Sequence, residues 1–175
     1  MQRLQTEWSP MKPAETWQQL VDLEAIKQLK FRYLRHLDLK EWDALLGCFS
    51  EDARAAYADG QYSFRGRDAI VNFLREVLGS TERLSLHRCH HPEISFVGPD
   101  RARGCWALDD LVIDGPSGTV LQGAAYYEDE YERVAGEWKI RFTSYRRVFE
   151  QVWQERDLPS LVRKVSWWRG DTEES

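Results

Sequence analysis

The chain has 175 residues, 42% hydrophobic and 30% charged, which suits one well-filled core and is too little for two. A formal charge of −5, with Lys and Arg interleaved among Asp and Glu, leaves no basic footprint for a nucleic-acid backbone. No apolar run approaches the roughly 18 residues of a membrane span, and the first residues lack the apolar centre of a signal peptide, so a soluble, cytoplasmic protein with no membrane partner is expected.

Residues 1–15 carry Pro10 and Pro13, show no period and read as a flexible arm. From residue 16, Leu20, Leu23, Ile26, Leu29, Tyr33 and Leu37 recur every three or four residues, which predicts a long amphipathic helix with Tyr33 on its buried stripe. The segment "DLKEWDALLGCF" predicts a second, shorter helix, with Asp38 as its cap and Glu41 completing a capping box. "ARAAYADGQYSFRG" reads as two short strands about Asp59-Gly60, and "RDAIVNFLREVLG" as a third helix ended by Gly79. Four long strand-like runs follow, over 83–97, 101–113, 119–133 and 137–150, separated by turn signals at 98–100, 115–118 and 135–136. Residues 151–175 read as a short helix and frayed end, with Trp167 and Trp168 available to dock on the body or on another subunit. Helices first and a meander of long antiparallel strands second is an α+β order, one domain over 16–150. Cys48, Cys89 and Cys105 are odd in number and form no CxxC pair, which fits free thiols.

The stretch "LHRCHHP" places His87, Cys89, His90 and His91 within five positions. Strand alternation sends His87, Cys89 and His91 to one face and His90 to the other. One strand therefore cannot supply the roughly four ligands of a tetrahedral metal site, and no CxxC or HExxH motif completes the set, so no metal is expected. Cys89 lacks a separate motif to expose and activate it, which leaves a histidine as acid or base beside a sheet pocket. In "GCWALDDLVI" alternation puts Gly104, Trp106, Leu108, Asp110 and Val112 on one face, so a carboxylate sits among apolar neighbours. Each residue also has an ordinary role: Asp38 a helix cap, Tyr33 a core tyrosine, Asp110 a rim acid, Arg146 and Arg147 surface strand charges. Together, a tyrosine, two carboxylates, a histidine and an arginine without a metal or phosphate motif are the inventory of cofactor-free proton transfer.

The series "LEAIKQLKFRYLRHLDLKEWDAL", "AYADG", "HRCHHPEI", "GCWALDD", "GAAYYEDEYERVAGEWKI" and "YRRVFE" resembles the SnoaL-like branch of the nuclear-transport-factor-2-like superfamily, and within it the bile-acid 7α-dehydratases, over about residues 20 to 150. The resemblance implies a cone-shaped α+β barrel, N-terminal helices packed on a strongly curved antiparallel sheet around a pocket. It implies catalytic roles for Tyr33, Asp38, His87, Asp110 and Arg147, and a substrate-lining role for Tyr57, Trp106, Cys89 and His91. Cys89 stands where that pattern has glycine and His91 where it has a small polar residue, departures that bear on the substrate. The implied activity is a cofactor-independent hydro-lyase removing water from a hydroxylated polycyclic ketone, a steroid or bile-acid-like 7α-hydroxy-3-oxo-4-ene. The same fold also serves ketosteroid-type isomerases, polyketide cyclases and the non-catalytic small subunit of ring-hydroxylating dioxygenases, and the residues alone do not separate these. A homodimer or homotrimer built on the outer face of the sheet is expected.

Overall fold

The computed structural model describes residues 17–168; the arm expected over 1–15 and the last seven positions of the tail lie outside the described residues. Helix α1 spans Trp17–Asp38, α2 Trp42–Leu46 and α3 Arg67–Leu78. Strands β1 (Phe49–Tyr57), β2 (Tyr62–Arg65), β3 (Arg83–Gly98), β4 (Arg101–Asp114), β5 (Thr119–Val134) and β6 (Glu137–Gln154) form one open sheet in the order β2-β1-β6-β5-β4-β3. All neighbours are antiparallel except β1 and β6, which run parallel, so the sheet is mixed rather than the pure antiparallel meander expected. The helices pack on the inner face of this curved sheet, α1 against β3 and β6 and α3 against β1, giving the cone-shaped α+β architecture.

The inner layer joins Ile26, Leu29, Tyr33, Leu34 and Leu37 of α1 to Phe49 and Tyr57 of β1, Trp106 and Leu108 of β4, Tyr127 and Tyr131 of β5 and Ile140 of β6. Leu20, expected on the buried stripe of α1, is instead half exposed. The buried position of that turn is Asp22, which accepts from Arg133 at 2.6 Å and from the Trp138 indole at 3.1 Å. Burial alone would raise the Asp22 carboxyl, but the bonds from Arg133, Trp138 and Gln18 outweigh it and hold it below the ordinary range.

Two helices differ from expectation. Helix α2 is only five residues long, because Lys40 takes a left-handed backbone (φ 58°) and the chain is already in β1 at Phe49. Its N-cap is Glu41 without a side-chain cap bond, so Asp38 caps nothing: it is the last residue of α1, and its carboxylate points elsewhere. Glu41 meets His36 Nδ1 at 2.5 Å instead of closing a capping box. Among the described residues the expected C-terminal helix is not formed; β6 continues to Gln154 and is followed by a single 3-10 turn over Glu155–Asp157. Beyond it Trp168 lies with its ring 5.4 Å from Lys40 Nζ, while Trp167 is exposed.

Three irregularities decide which side chains reach the inner face. In β3 the register slips between His90 and Glu93, with His91 at φ 47°, so the inward set changes from His87 and Cys89 to Ile94 and Phe96. Pro92, which cannot donate to a ladder, sits within that bulge. In β6 one extra residue between Ile140 and Phe142 moves the inward set from Trp138 and Ile140 to Thr143 and Tyr145, and a second irregularity lies between Arg147 and Phe149.

Candidate active site

Asp38 ends α1 facing the start of β3, and three donors converge on its carboxylate. Oδ2 accepts the His87 backbone N–H at 2.8 Å, and Oδ1 accepts the Ser85 hydroxyl at 2.9 Å. Oδ1 also stands 2.7 Å from His87 Nδ1. A carboxylate only accepts, so Nδ1 carries the proton and the lone pair of neutral His87 lies on Nε2. Among the described residues Nε2 meets no hydrogen-bond partner, and the His87 side chain is only 10% exposed. The arrangement is an imidazole of fixed tautomer, oriented by a carboxylate, with its basic nitrogen free.

Across the ladder His87 is registered with Asp110 of β4, which puts the two side chains side by side on the inner face. Asp110 is buried and gripped by Arg147 of β6 through a two-pronged contact, Nη1 to Oδ1 at 2.5 Å and Nη2 to Oδ2 at 2.7 Å. To reach Asp110 the guanidinium must cross β5, and it crosses at Gly123, the residue registered with Asp110. A Cβ there would stand 2.7 Å from Arg147 Nη1 and 3.0 Å from the Phe149 carbonyl oxygen. Gly123 escaped the sequence reading, although a glycine inside a strand is a recognised sign of close approach.

Tyr33, Tyr57 and Tyr127 form a phenol layer on the same inner face, all less than 5% exposed. Tyr145 joins it to the Asp110–Arg147 pair: its ring lies 5.9 Å from Tyr127, 5.8 Å from Tyr57 and 5.1 Å from the Arg147 guanidinium carbon. Burial, reinforced by the neighbouring Tyr127 and Tyr57, pushes the Tyr33 phenol well above its ordinary range. The Tyr57 phenol is also raised by burial, and its hydroxyl is close to Tyr33 without a hydrogen bond of normal geometry. These phenols stay protonated and can only donate or share a hydrogen bond at neutral pH. Cys89, two residues beyond His87, also faces inward, and burial pushes its thiol up to about 12, which makes it a wall rather than a nucleophile.

One of the expected lining residues lies on the outer face, and another is packed within the inner layer. His91 is turned out by the β3 bulge and is exposed, its ring 5.9 Å from that of His90, which pairs on the outer face with Asp109. Trp106 faces inward but is fully buried, with its indole N–H committed to the Tyr131 hydroxyl at 2.9 Å. Among the described residues no cluster of three or more His, Cys, Asp or Glu side chains is arranged to hold a metal ion, and no helix is long and apolar enough to cross a membrane. The surface cleft between α1, α2 and α3, lined by Arg35, His36, Lys40, Trp42 and Arg75, contains none of the expected catalytic or lining residues.

Known structures share this fold. A protein assigned provisionally as a scytalone dehydratase, from Novosphingobium aromaticivorans DSM 12444, matches with a TM-score of 0.71 and 26% identity, over 76% of this chain and 88% of that one. Hexachlorocyclohexane dehydrochlorinase (LinA) type 2 matches with a TM-score of 0.70 and 21% identity over 77% of this chain and 90% of its own. ActVI-ORFA from Streptomyces coelicolor matches with a TM-score of 0.63 and 14% identity over 73% and 98%. At the identities of the last two the likeness is one of fold alone. A model of the SnoaL-like domain matches residues 18–144, inward-turned Asp38, His87 and Asp110 included, and the chain belongs to the SnoaL-like domain family.

Proposed function

We propose that this protein is a cofactor-independent dehydratase acting on a hydroxylated polycyclic ketone, with a 7α-hydroxy-3-oxo-4-ene steroid or bile-acid-like molecule as the substrate class. The observation that carries the reading is the oriented imidazole: Asp38 fixes the His87 proton on Nδ1 and leaves Nε2 as a free base beside the Asp110–Arg147 pair. His87 Nε2 removes a proton from carbon, and the electrons of the broken C–H bond move to the carbonyl oxygen as an enolate. Tyr33 donates to that oxygen, a bond worth roughly 3–4 kcal/mol if it behaves as an oxyanion-hole donor. The enolate then collapses, the C–O bond to the hydroxyl breaks, and His87 returns its proton to the departing oxygen. Water leaves and histidine is neutral again. Asp38 stabilises the transient imidazolium, while Asp110 and Arg147 hold the neighbouring wall. Tyr57 and Cys89 line the pocket. That several SnoaL-like neighbours are named for eliminations supports the reaction class.

The test is mass spectrometry of 3-oxo-4-ene steroids bearing a 7α-hydroxyl after incubation with purified protein. The expected product has lost one water and gained a conjugated double bond. A product of unchanged mass would instead favour an isomerase or cyclase using the same groups, and no product from the whole series would overturn the substrate class.

A further inference from the structure

The proposed reaction leaves one charged group of the inner face unused. Lys30 is 0% exposed and Asp129 2%, and Lys30 Nζ stands 2.7 Å from Asp129 Oδ2, an ionic contact rather than a well-directed hydrogen bond. Asp129 is otherwise filled: Tyr131 donates to Oδ2 at 2.7 Å and Thr143 to Oδ1 at 2.7 Å. Lys30 is not. Instead of further oxygen partners its ammonium meets two ring faces, that of Tyr127 at 3.4 Å from the centroid and that of Tyr33 at 4.9 Å. Tyr33 is one helical turn beyond Lys30, so the contact with its ring follows from the i, i+3 spacing of α1, whereas Tyr127 arrives from β5.

A buried ion pair is seldom needed for stability, because desolvating two charges offsets most of their attraction and an apolar pair of similar volume is often as stable. What this one does possess is geometry: a desolvated cation attracts the faces of both rings and so fixes where each ring, and therefore each hydroxyl, is placed. We infer that the Lys30–Asp129 pair is a positioning device that holds the Tyr33 and Tyr127 rings so that both phenols address one substrate oxygen as it gains negative charge. The inference rests on the donor role given to Tyr33 above and adds Tyr127 as a second donor. Lys30 and Asp129 themselves touch no substrate.

The experiment is the isosteric, charge-free double variant Lys30→Met/Asp129→Asn, measured for stability, for turnover of the steroid, and for binding of 4-nitrophenol, whose absorption reports how much of the bound phenol is ionised. A positioning pair predicts a folded variant with an unchanged or raised melting temperature, kcat lower by tenfold to a hundredfold with KM nearly unchanged, and at least a tenfold loss in phenolate binding. A mere strut predicts the reverse, lost stability with intact kcat and intact phenolate binding, and that result would overturn the inference. So would failure of the wild-type protein to bind the phenolate at all. If the double variant does not fold, Tyr127→Phe keeps the ring over Lys30 and deletes only the hydroxyl. It should lower kcat and phenolate affinity about tenfold with stability intact, and unchanged values would refute the second donor. Tyr33→Phe separates the two levels: if it turns over normally the donor role given to Tyr33 fails, whereas phenolate binding by wild type and double variant still judges the pair.

Discussion

Replacing Asp38 by Asn changes one atom of the site and should disable it, for a reason that can be worked through bond by bond. The carboxylate faces the His87 backbone N–H on Oδ2 and the Ser85 hydroxyl and His87 Nδ1 on Oδ1. An amide has one oxygen. The backbone N–H can only donate, so the amide oxygen must stay on it, and the NH2 group is then directed at Ser85 and Nδ1. Ser85 can rotate its hydroxyl to accept, but Nδ1 accepts only if the imidazole proton moves to Nε2, which turns the free base into a donor. The opposite amide orientation leaves a half-buried N–H facing an NH2, at roughly 1–3 kcal/mol for the unsatisfied donor. At about 1.4 kcal/mol per factor of ten, the productive tautomer falls to about one tenth or one hundredth of the molecules. Losing the negative charge that stabilises the imidazolium adds to this, so turnover should drop by about 10²- to 10⁴-fold while stability changes by about 1 kcal/mol or less. Nitrogen NMR of the His87 ring reads the tautomer with no substrate present, and steady-state turnover reads the consequence. The reasoning is refuted if wild-type His87 is protonated on Nε2, or if the Asn variant switches tautomer and keeps its rate.

Four further outcomes follow from the same geometry. Gly123→Ala sets a Cβ 2.7 Å from Arg147 Nη1 and 3.0 Å from a backbone carbonyl that cannot yield, so calorimetry should show a loss of roughly 1–3 kcal/mol; an unchanged melting temperature would mean that Arg147 does not cross there. Ser85→Ala removes one of the three donors on Asp38, and a bond of about 1 kcal/mol predicts a several-fold fall in kcat that Ser85→Thr restores; a wild-type rate would show Asp38 needs no such support. Burial raises the Tyr33, Tyr127 and Tyr131 phenols and takes the Cys89 thiol to about 12, so the unfolded chain releases these protons first. Their stabilisation is complete below the ordinary thiol value near 8.5 and is lost as pH climbs toward about 12, so the urea midpoint should be lower at pH 10 than at pH 7; a higher one would contradict the burial. Leu86, Tyr126 and Phe149 remain exposed on the outer face of the sheet, and light scattering should find a homodimer or homotrimer, a monomer at micromolar concentration counting against it.

The strand pattern was legible because it is local. Alternation and Gly-, Pro- or Asp-containing turns located β3, β4 and β5 within a residue or so of 83–97, 101–113 and 119–133, and only β6 runs well past its expected end. The irregularities within strands were not legible, since one extra residue leaves composition unchanged and reverses every inward assignment beyond it. Alternation carried through from His87 turns His91 inward, whereas the bulge at His91-Pro92 turns it out. Counting in twos from Trp138 and Ile140 selects Arg146, whereas the irregularity after Ile140 brings Arg147 to Asp110. The family resemblance picked out Arg147 where periodicity had no means to do so. Asp38 failed in a different way: its local sequence offers a respectable cap, and only a partner 49 positions away reveals the use made of its carboxylate. Lys30 and Asp129 gave no signal, because a lysine in a helix and an acid in a charged strand are ordinarily solvated.

The interior charges can be read as a set, and the set singles out one position. Four carboxylates of the described residues are buried or nearly so and each has one basic partner: Asp22 with Arg133, Asp110 with Arg147, Asp129 with Lys30 and Asp38 with His87. In the first three the partner is an arginine or a lysine held against its carboxylate as an ion pair. The fourth partner is a histidine, the one side chain of the four that can gain and lose its charge near neutrality. Placing a carboxylate opposite a neutral imidazole leaves the Asp38 charge short of its full compensation until a proton arrives on Nε2. In the proposed reaction the same carboxylate that fixes the tautomer therefore draws that proton in. This is the pair that, in the proposed reaction, takes up the proton from carbon and returns it to the departing oxygen.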